Sequence, residues 1–319
     1  MRVLVTGATG FIGQALCERL SAAGHDVRAA VRTPGAESPD TWDTVAVGDI
    51  GSRTVWDDAL PGIDTVIHAA ARVHVMRDTA DASALFFETN TSGTRRLAEA
   101  CAAHGVRRLI FVSSIKVNGE GRQQPYTAED IPDPQDAYGR SKLEAERALM
   151  SVAHSAGLEA VIVRLPLVYG PRVRANFLRL LRWVDRQIPL PLARVRNLRS
   201  LVSLANVCSF LEHVLDHPGA AGRVWLVADG EDISTPDLVR RVAHLMKRKS
   251  RLLKVPVWAL HAAGVLTGRS AEISRLCGSL RLDVTPARIQ LGWSPPYSMD
   301  ACLAQTVEWY LREVRSLVR

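Results

Sequence analysis

Short apolar runs alternate with helical patterns through the first half of the chain. Runs rich in β-branched and aliphatic residues predict strands, and segments with apolar residues three and four positions apart predict helices. The predicted strands cover residues 2–6, 27–31, 45–47, 65–68, 108–113 and 159–164, and the predicted helices cover 11–23, 82–103 and 138–156. Strands that alternate with helices indicate an α/β fold, with a doubly wound parallel sheet and helices on both faces.

The pattern changes after Pro166. Prolines become frequent between residues 166 and 191, and short helix and strand patterns mix from there to the C-terminus. The length of 319 residues also fits one large domain with a smaller lobe. We predict a first domain over residues 1–165 and a smaller, mostly helical substrate lobe over 166–319, with a strand near 223–227 that returns to the first sheet.

Composition narrows the class of protein. Hydrophobic residues make up 47% and charged residues 23% of the chain, which is typical of globular proteins and excludes chain-wide disorder. No apolar run reaches the ~20 residues of a membrane-spanning helix. The best candidate, 255–267, contains Pro256 and His261 and is interpreted as a buried helix, with contact to a membrane surface as the alternative.

The N-terminus lacks the long apolar stretch of a signal peptide. The five cysteines are scattered, without the spacing of a zinc or redox motif. We therefore expect a cytoplasmic protein with reduced thiols and no metal site.

The net charge is +7, and basic residues are concentrated in one segment. Between Arg172 and Arg199 there are eight arginines and a single acid, Asp185. Aromatic residues are sparse there, which argues against a nucleic-acid platform. A solvated basic face explains most of these arginines. The functional alternative is that one or two hold a phosphate, because the guanidinium group binds phosphate through two donors.

A glycine-rich turn follows the first predicted strand. Gly7, Gly10 and Gly13 stand between that strand and the first helix with GxxGxxG spacing. Glycines there permit the tight turn, the approach of backbone to a pyrophosphate, and close packing of the helix. The sequence therefore predicts a Rossmann-type domain that binds a dinucleotide at the helix N-terminus.

The end of the second predicted strand bears on the choice of dinucleotide. Sites selective for NAD usually place an acid there, about 20 residues after the glycines, to bind the ribose 2′-hydroxyl. Arg32 occupies that place, and no acid is near it in the sequence. Because a guanidinium suits a 2′-phosphate, we favour NADP(H) and keep NAD(H) as the alternative.

Tyr138 and Lys142 form a YxxxK pattern at the start of a predicted helix. The spacing places both side chains on one face of that helix. A lysine ammonium beside a tyrosine favours the tyrosinate, which brings the hydroxyl into the range of acid–base catalysis. Ser113 and Ser114 end a strand upstream, so a serine can reach the same cleft.

With these motifs the chain resembles the extended short-chain dehydrogenase/reductases of the nucleotide-sugar epimerase/dehydratase group. The resemblance is dense in the first half and looser in the second. It is closest to a branch from bacterial O-antigen and capsule clusters that acts on UDP-sugars. The matching segments are TGATGFIG (6–13), GDI (48–50), HAAA (68–71), NTSGT (90–94), SSIKVNGE (113–120), YGRSK (138–142) and RLPLVYGP (164–171).

The resemblance implies a set of site residues. It makes Ser114, Tyr138 and Lys142 the catalytic residues, because the family's serine stands three residues before the Val of a VYG-like motif, here Val117. Asn118 replaces the usual tyrosine of that motif. The predicted dinucleotide site comprises Gly7, Thr9, Gly10, Phe11, Ile12, Gly13, Arg32, Asp49, Ile50, Ala69, Ala70, Ala71, Asn90, Tyr138, Lys142 and Pro166. The predicted substrate site comprises Ser114, Lys116, Asn176 and Arg199, the last two for the uridine diphosphate.

One departure from the family separates its activities. Dehydratases of the family follow the catalytic Ser or Thr with an Asp-Glu pair, whereas this chain has Ile115 and Lys116. An apolar residue and a cation cannot exchange the protons of water loss, so we exclude a dehydratase. Lys116 is assigned to a substrate oxygen or phosphate, or else to a solvated loop.

The sequence thus predicts an NADP(H)-dependent oxidoreductase acting at C4 of a UDP-sugar, expected to be a homodimer. The first hypothesis is 4-keto reduction of a UDP-4-keto-6-deoxy-N-acetylhexosamine in surface polysaccharide biosynthesis. The second is an NAD-dependent UDP-hexose or UDP-N-acetylhexosamine 4-epimerase, and Arg32 ranks it second. A distant third, a non-catalytic dinucleotide sensor, is disfavoured because Tyr138 and Lys142 are both present.

Overall fold

The computed structural model of the chain describes residues 1–33, 35, 42–73 and 80–316. Its strands are β1 (Arg2–Thr6), β2 (Asp26–Val31), β3 (Asp43–Ala46), β4 (Thr65–His68), β5 (Arg108–Ser114), β6 (Glu159–Leu165), β7 (Leu167–Tyr169), β8 (Arg199–Ser203), β9 (Arg223–Leu226) and β10 (Asp232–Ile233). Its α-helices are α1 (Phe11–Ala22), α2 (Ala80–Phe86), α3 (Gly93–Ala103), α4 (Ala137–Ala156), α5 (Ala175–Asp185), α6 (Leu204–His213), α7 (Thr235–Leu245), α8 (Val257–Leu266), α9 (Ser270–Cys277), α10 (Thr285–Leu291) and α11 (Met299–Trp309).

The large sheet confirms the predicted α/β fold. Its seven strands run in the order β3-β2-β1-β4-β5-β6-β9, and every neighbouring pair is parallel. Apolar clusters lie on both of its faces, one around α1 and α6 and the other around α3 and α4. Since all strands are parallel, their carboxyl ends meet at one edge, where an open α/β sheet binds its ligand.

A smaller sheet organises the rest of the chain. It has the order β10-β8-β7, and a separate apolar cluster packs α5, α7 and α11 beside it. The chain leaves this part once to add β9 beside β6, which extends the large sheet. The carboxyl edge of the large sheet adjoins this part of the chain, because β6 is followed directly by β7 of the smaller sheet. We refer to the region at this edge as the cleft.

The helix predicted over 82–103 is interrupted. A π-helical turn, Phe87–Ser92, separates α2 from α3. The wider turn directs Asn90 inward, where it is 1% exposed. Apolar periodicity predicts a single helix here, because each flanking segment is regular by itself and the pattern contains no separate signal for the wider turn between them.

The prediction that 255–267 forms a buried helix is wrong in one respect. The helix forms as α8, but only Leu260 and Gly264 within it are buried, whereas Trp258 and Leu266 are 74% and 87% exposed. The reason is that the short helix α9 covers only one side of it. Within the described ranges, no helix combines the length and apolarity needed to cross a bilayer.

Candidate active site

The glycine turn closes β1 tightly against α1. Gly7 has φ +68°, and a Cβ there would lie 2.8 Å from the Ala70 Cα. A Cβ on Gly13 would lie 2.1 Å from the Gly7 carbonyl oxygen, so only glycine permits this packing. No side chain among the described residues caps α1, and Thr9 and Gly10 are exposed. The N–H groups of the first turn, at Phe11 and Ile12, are therefore available to a phosphate.

The end of β2 presents a charged pair. Arg32 Nε lies 2.9 Å from Asp49 Oδ1, and both side chains are largely exposed, at 77% and 86%. Asp49 comes from the loop after β3. An acid therefore lies beside Arg32 in the fold, although none is near it in the sequence. Ile50, the next residue, is half-buried and packs against the α3–α4 side of the sheet.

The three predicted catalytic residues converge at the carboxyl edge of the sheet. Ser114 ends β5, and Tyr138 and Lys142 lie on the first turns of α4. Lys142 is 1% exposed, and its Nζ donates to the Val112 carbonyl oxygen at 2.7 Å and lies 3.9 Å from the centre of the Phe111 ring. The lysine is thus held below the tyrosine by the strand that ends in Ser114.

Burial sets the acid–base properties of this group. It raises the pKa of Tyr138 to about 12, because the hydrogen bond from Ser114 offsets only part of the desolvation. It lowers the pKa of Lys142 to about 7, although the Glu146 carboxylate acts in the opposite direction. The sequence argument expected the lysine to bring the tyrosine pKa down. In the protein alone the pKa of Tyr138 is instead raised, because burial outweighs the other influences on it.

A neutral histidine orders the neighbouring strand end. Desolvation lowers the pKa of His68 to about 3. The Thr94 hydroxyl donates to Asn90 O at 2.6 Å, so it accepts from His68 Nε2 at 3.1 Å. His68 Nδ1 then accepts from Thr6 Oγ1 at 2.6 Å, and Thr6 Oγ1 accepts from the Ala70 N–H at 3.2 Å. This chain of bonds fixes the segment that holds Ala69, Ala70 and Ala71.

The side chain of Asn90 forms hydrogen bonds with other groups of the protein. Its Oδ1 accepts from the Arg72 N–H at 2.9 Å, and its Nδ2 donates to Arg72 O and to Ser141 Oγ at 3.1 and 3.0 Å. Its side chain therefore ties the loop after β4 to α4. Its assignment to the dinucleotide stays a prediction, as does that of Pro166, which is buried at the end of β6.

Lys116 lies at the rim of the cleft in an ion network. Its Nζ pairs with Asp136 and lies 3.3 Å from Glu120 Oε1, and it lies 6.0 Å from the centre of the Tyr138 ring. Arg275, from α9, pairs with Glu120 at 2.8 Å. Although burial raises it, the Asp136 pKa is held below its usual value by Lys116 and by the Gly139 N–H that Asp136 caps. Lys116 is therefore held by two carboxylates at the rim and does not extend freely into solvent.

The two residues predicted for the uridine diphosphate are not equally placed. Arg199 Nη1 donates to the carbonyl oxygens of Arg275 and Gly278 at 2.7 and 3.1 Å, which connects it to the rim at the end of α9. Asn176 is exposed in the first turn of α5 and accepts from Arg179 at 3.0 Å. The structure therefore brings Ser114, Tyr138, Lys116 and Arg199 together through direct or shared contacts, but gives no such contact for Asn176.

With this geometry established, the comparisons with known proteins identify the family. A family model described as "NAD dependent epimerase/dehydratase family" matches residues 3–228. The chain belongs to this family.

Its relatives are similar along almost the whole chain. The family member is 41% identical over 315 residues to a UDP-glucose 4-epimerase of Vibrio cholerae, covering 97% of this chain and 95% of that protein. It is 26% identical to an N-acetyl-alpha-D-glucosaminyl-diphospho-ditrans,octacis-undecaprenol 4-epimerase of Escherichia coli O157:H7, over 96% and 94% of the two chains. Among solved structures, MoeE5 in complex with UDP-glucose and NAD matches with a TM-score of 0.79, 28% identity and coverage of 98% and 100%.

Sequence reasoning missed a buried network beneath helix α4 of this family member. Arg164 Nη2 and Nε donate to Glu146 at 2.6 and 3.0 Å, and Ser113 Oγ donates to the same carboxylate at 2.5 Å. Arg164 Nη1 also donates to Asn118 Oδ1 at 2.9 Å. Each of the four side chains is at most 4% exposed.

A signal for this network was present in the chain. Glu146 follows Lys142 by four residues, on the same face of α4. An acid on the face of the helix that carries Tyr138 and Lys142 needs a cationic partner if it is buried, and an arginine within the apolar strand 159–164 is a candidate. Arg164, on β6, is that partner, and it also bonds to Asn118.

Proposed function

We propose that the protein is an NAD-dependent 4-epimerase of a UDP-sugar. The observation that carries most weight is the 41% identity, over 97% of the chain, to the Vibrio cholerae protein named UDP-glucose 4-epimerase. The convergence of Ser114, Tyr138 and Lys142 beside the glycine turn supports the same chemistry. The MoeE5 complex, which holds UDP-glucose and NAD, supports the choice of ligands.

The residues present fit a dinucleotide. The uncapped first turn of α1, at Phe11 and Ile12, suits the pyrophosphate, and the closely packed Gly7–Ala70 contact leaves the backbone free of side chains there. Arg32 and Asp49 would lie at the adenosine ribose. When bound, the nicotinamide would supply reversible hydride transfer at sugar C4. Hydride taken from one face would return to the other face after the keto sugar turns over, so that C4 would be inverted without net oxidation.

The chain's own residues handle the proton of the sugar 4-hydroxyl. Tyr138 takes that proton as the hydroxyl becomes a carbonyl, and gives it back when the alcohol re-forms. Ser114 donates a hydrogen bond to the same oxygen, which stabilises charge that develops in the transition state. Burial by itself disfavours the tyrosinate that begins the cycle. Charged Lys142, together with a bound nicotinamide ring, would favour it.

The two residues that follow Ser114 argue against a dehydratase reaction, in which the sugar loses water. Ile115 is buried, and Lys116 is paired with Asp136 and Glu120 at the rim. Neither offers a carboxylate directly after Ser114 to remove a proton from C5. Reversible oxidation at C4 is the simpler chemistry for this set of groups.

A second candidate function is the 4-keto reductase that ranks first in the sequence argument. The observation that favours it is Arg32 at the end of β2, where a 2′-phosphate of NADP(H) would find a cation. The pair with Asp49 weakens this argument, because the carboxylate already neutralises the guanidinium and would repel a phosphate. We therefore rank NAD above NADP(H).

One experiment separates these candidates. The purified protein is denatured, and the released nucleotide is identified by mass spectrometry. The protein is then supplied with UDP-glucose or UDP-N-acetylglucosamine without added reductant. An epimerase releases NAD and forms the galacto isomer, whereas a reductase releases little NAD and consumes one NADPH for each molecule of a UDP-4-keto-6-deoxyhexosamine.

Two variants sharpen the choice of cofactor. For an epimerase, Arg32→Ala should change NAD retention and turnover by less than about threefold, since the exposed pair contributes little. Arg312→Ala, another exposed arginine, is the matched control. A rise in KM for NADPH of about 10-fold or more in Arg32→Ala alone would support the reductase.

We also propose that the protein acts in the cytoplasm as a homodimer. The family resemblance supports this assembly. Sedimentation at several protein concentrations measures it, and a monomer at all of them would contradict it.

A further inference from the structure

Helix α8 carries a continuous exposed apolar face. Trp258, Val265 and Leu266 are 74%, 70% and 87% exposed. They stand at positions i, i+7 and i+8, which lie on one side of a helix. The exposed residues Ala262 and His261 lie between them on that side. We call these five residues the α8 face.

The opposite side of α8 explains why this face is open. Leu260 and Gly264 are buried, and a Cβ on Gly264 would lie 3.0 Å from Ile273 Cγ1 of α9. The helix is therefore attached to the fold by a narrow strip. The apolar face on its other side has no packing partner among the described residues.

The sequence around α8 is strongly cationic. Residues 247–271 contain six lysines and arginines and no aspartate or glutamate. Lys254 stands three residues before the helix, Arg269 stands three residues after it, and both are exposed. Further exposed cations in this stretch are Lys247, Lys249 and Arg251. Positive charge thus flanks the apolar face at both ends of the helix.

We propose that the α8 face binds the surface of an anionic lipid bilayer, with the helix lying in the plane of the interface. The helix itself carries no lysine or arginine, but its exposed tryptophan and leucine and the cations beyond both of its ends supply the apolar anchors and the positive charge that interfacial helices use. The indole ring suits the headgroup boundary, and the flanking cations are attracted to anionic headgroups. This proposal goes beyond the enzyme's reaction and does not depend on which sugar it converts.

A second copy of the chain is a poorer occupant. A helix of ten residues is about 15 Å long, so its face offers far less than the ~800 Å² per partner of a stable interface. A two-fold contact would also set the same cations against each other. A bilayer has neither limit, because it is continuous and carries the opposite charge.

The position of α8 gives the proposal a functional consequence. Helix α9, on which α8 packs, also supplies Arg275 to the ion network at the cleft rim. Docking through α8 would place the rim of the cleft one helix layer from the headgroups. The enzyme would then meet sugar donors and their users at the membrane surface.

Vesicle flotation tests the proposal with the full-length protein. Wild type should float with phosphatidylcholine vesicles that contain about one third phosphatidylglycerol, and much less with pure phosphatidylcholine. Trp258→Glu/Leu266→Gln should reduce the bound fraction by about 10-fold or more, because both apolar anchors are lost. Lys249→Gln/Lys254→Gln should reduce it by about 10-fold and lower its sensitivity to salt, because two of the six cations are lost.

Matched variants exclude general effects of mutation. Ile289→Glu removes an equally exposed apolar side chain from α10, and Arg288→Gln/Arg312→Gln removes two exposed cations elsewhere. Both should float like wild type, and all variants should retain turnover of soluble UDP-sugar. Brominated lipid should quench tryptophan fluorescence in wild type and much less in Trp258→Phe, which should still bind.

Two results would overturn the proposal. The first is wild type that does not float with anionic vesicles, or Trp258→Glu/Leu266→Gln that floats as well as wild type. The second is self-association of wild type that Trp258→Glu abolishes without any vesicles, which would make the α8 face a contact between copies.

Discussion

On the sheet side of the cleft, Lys142, Glu146 and Arg164 beneath Tyr138 are each at most 3% exposed. Arg164 pairs with Glu146, and Lys142 donates to the Val112 carbonyl oxygen. On the lobe side, Lys116, Glu120 and Arg275 form pairs whose side chains are 25–44% exposed. Both sides are built from carboxylates and cations. They differ in how much water reaches them.

This difference separates two tasks. In the buried network, removal of one partner leaves the other charge buried without compensation. The geometry of the buried network is therefore strongly fixed. At the partly exposed rim, water and salt ions can replace a lost partner with little loss of free energy. The geometry of the rim pairs can therefore change when a ligand binds. We infer that the sheet side fixes the position of the proton-transfer group, while the rim adapts to the sugar.

The largest expected effect follows from breaking the buried pair. Glu146→Leu should lower the free energy of unfolding by about 3–5 kcal/mol, because the Arg164 charge is left buried without its partner. Glu120→Leu, the matched change at the rim, should lower it by less than about 1 kcal/mol. Chemical denaturation of the two variants measures both values.

The double variant Glu146→Leu/Arg164→Met provides the control for this pair. Replacing both charges by apolar groups of similar size should recover most of the lost stability. Equal losses in Glu146→Leu and Glu120→Leu would remove the distinction between the two sides of the cleft.

The second effect is on turnover. Tyr138→Phe should reduce kcat by at least about 100-fold, the usual scale of a general acid–base group. Dinucleotide retention and UDP binding, measured by calorimetry, should remain near wild type, because the phenyl ring fills the same space. Near-normal kcat in this variant would disprove the assignment of Tyr138.

Much of the fold could be predicted from the sequence, because the features that specify its strands and helices are local. Apolar periodicity predicts β1, β5, β6 and α4 to within one or two residues, and the glycines after β1 have a direct steric reason. These features depend on neighbours along the chain, so a single sequence contains them.

The parts that were missed depend on contacts between distant segments. Asp49 meets Arg32 across two strands, and Arg275 meets Glu120 across 155 residues. Lys142 donates to a backbone carbonyl that no side-chain pattern encodes. The exposure of α8 depends on how much of it α9 covers, which its own apolar sequence cannot reveal.

The smallest expected effect tests whether burial of Lys142 lowers the free energy of unfolding. The folded pKa of Lys142 is about 7, below the ~10.4 of an unfolded lysine. Between these values the unfolded chain binds one more proton than the folded chain, so the unfolding free energy should rise with pH. Below about pH 7 both forms are charged, and the full cost of burying the ammonium remains. Lys142→Met removes that cost.

With bound dinucleotide removed from both proteins, Lys142→Met should therefore be more stable than wild type at pH 6.5. The expected gain is about 2 kcal/mol, after allowance for the lost hydrogen bond to Val112. The gain should shrink as the pH approaches 9.5, because wild-type Lys142 is then neutral when folded. Denaturation curves at the two pH values measure the change. A constant difference between the two proteins would mean that Lys142 keeps an ordinary pKa, and that the sheet side of the cleft is as accessible to water as the rim.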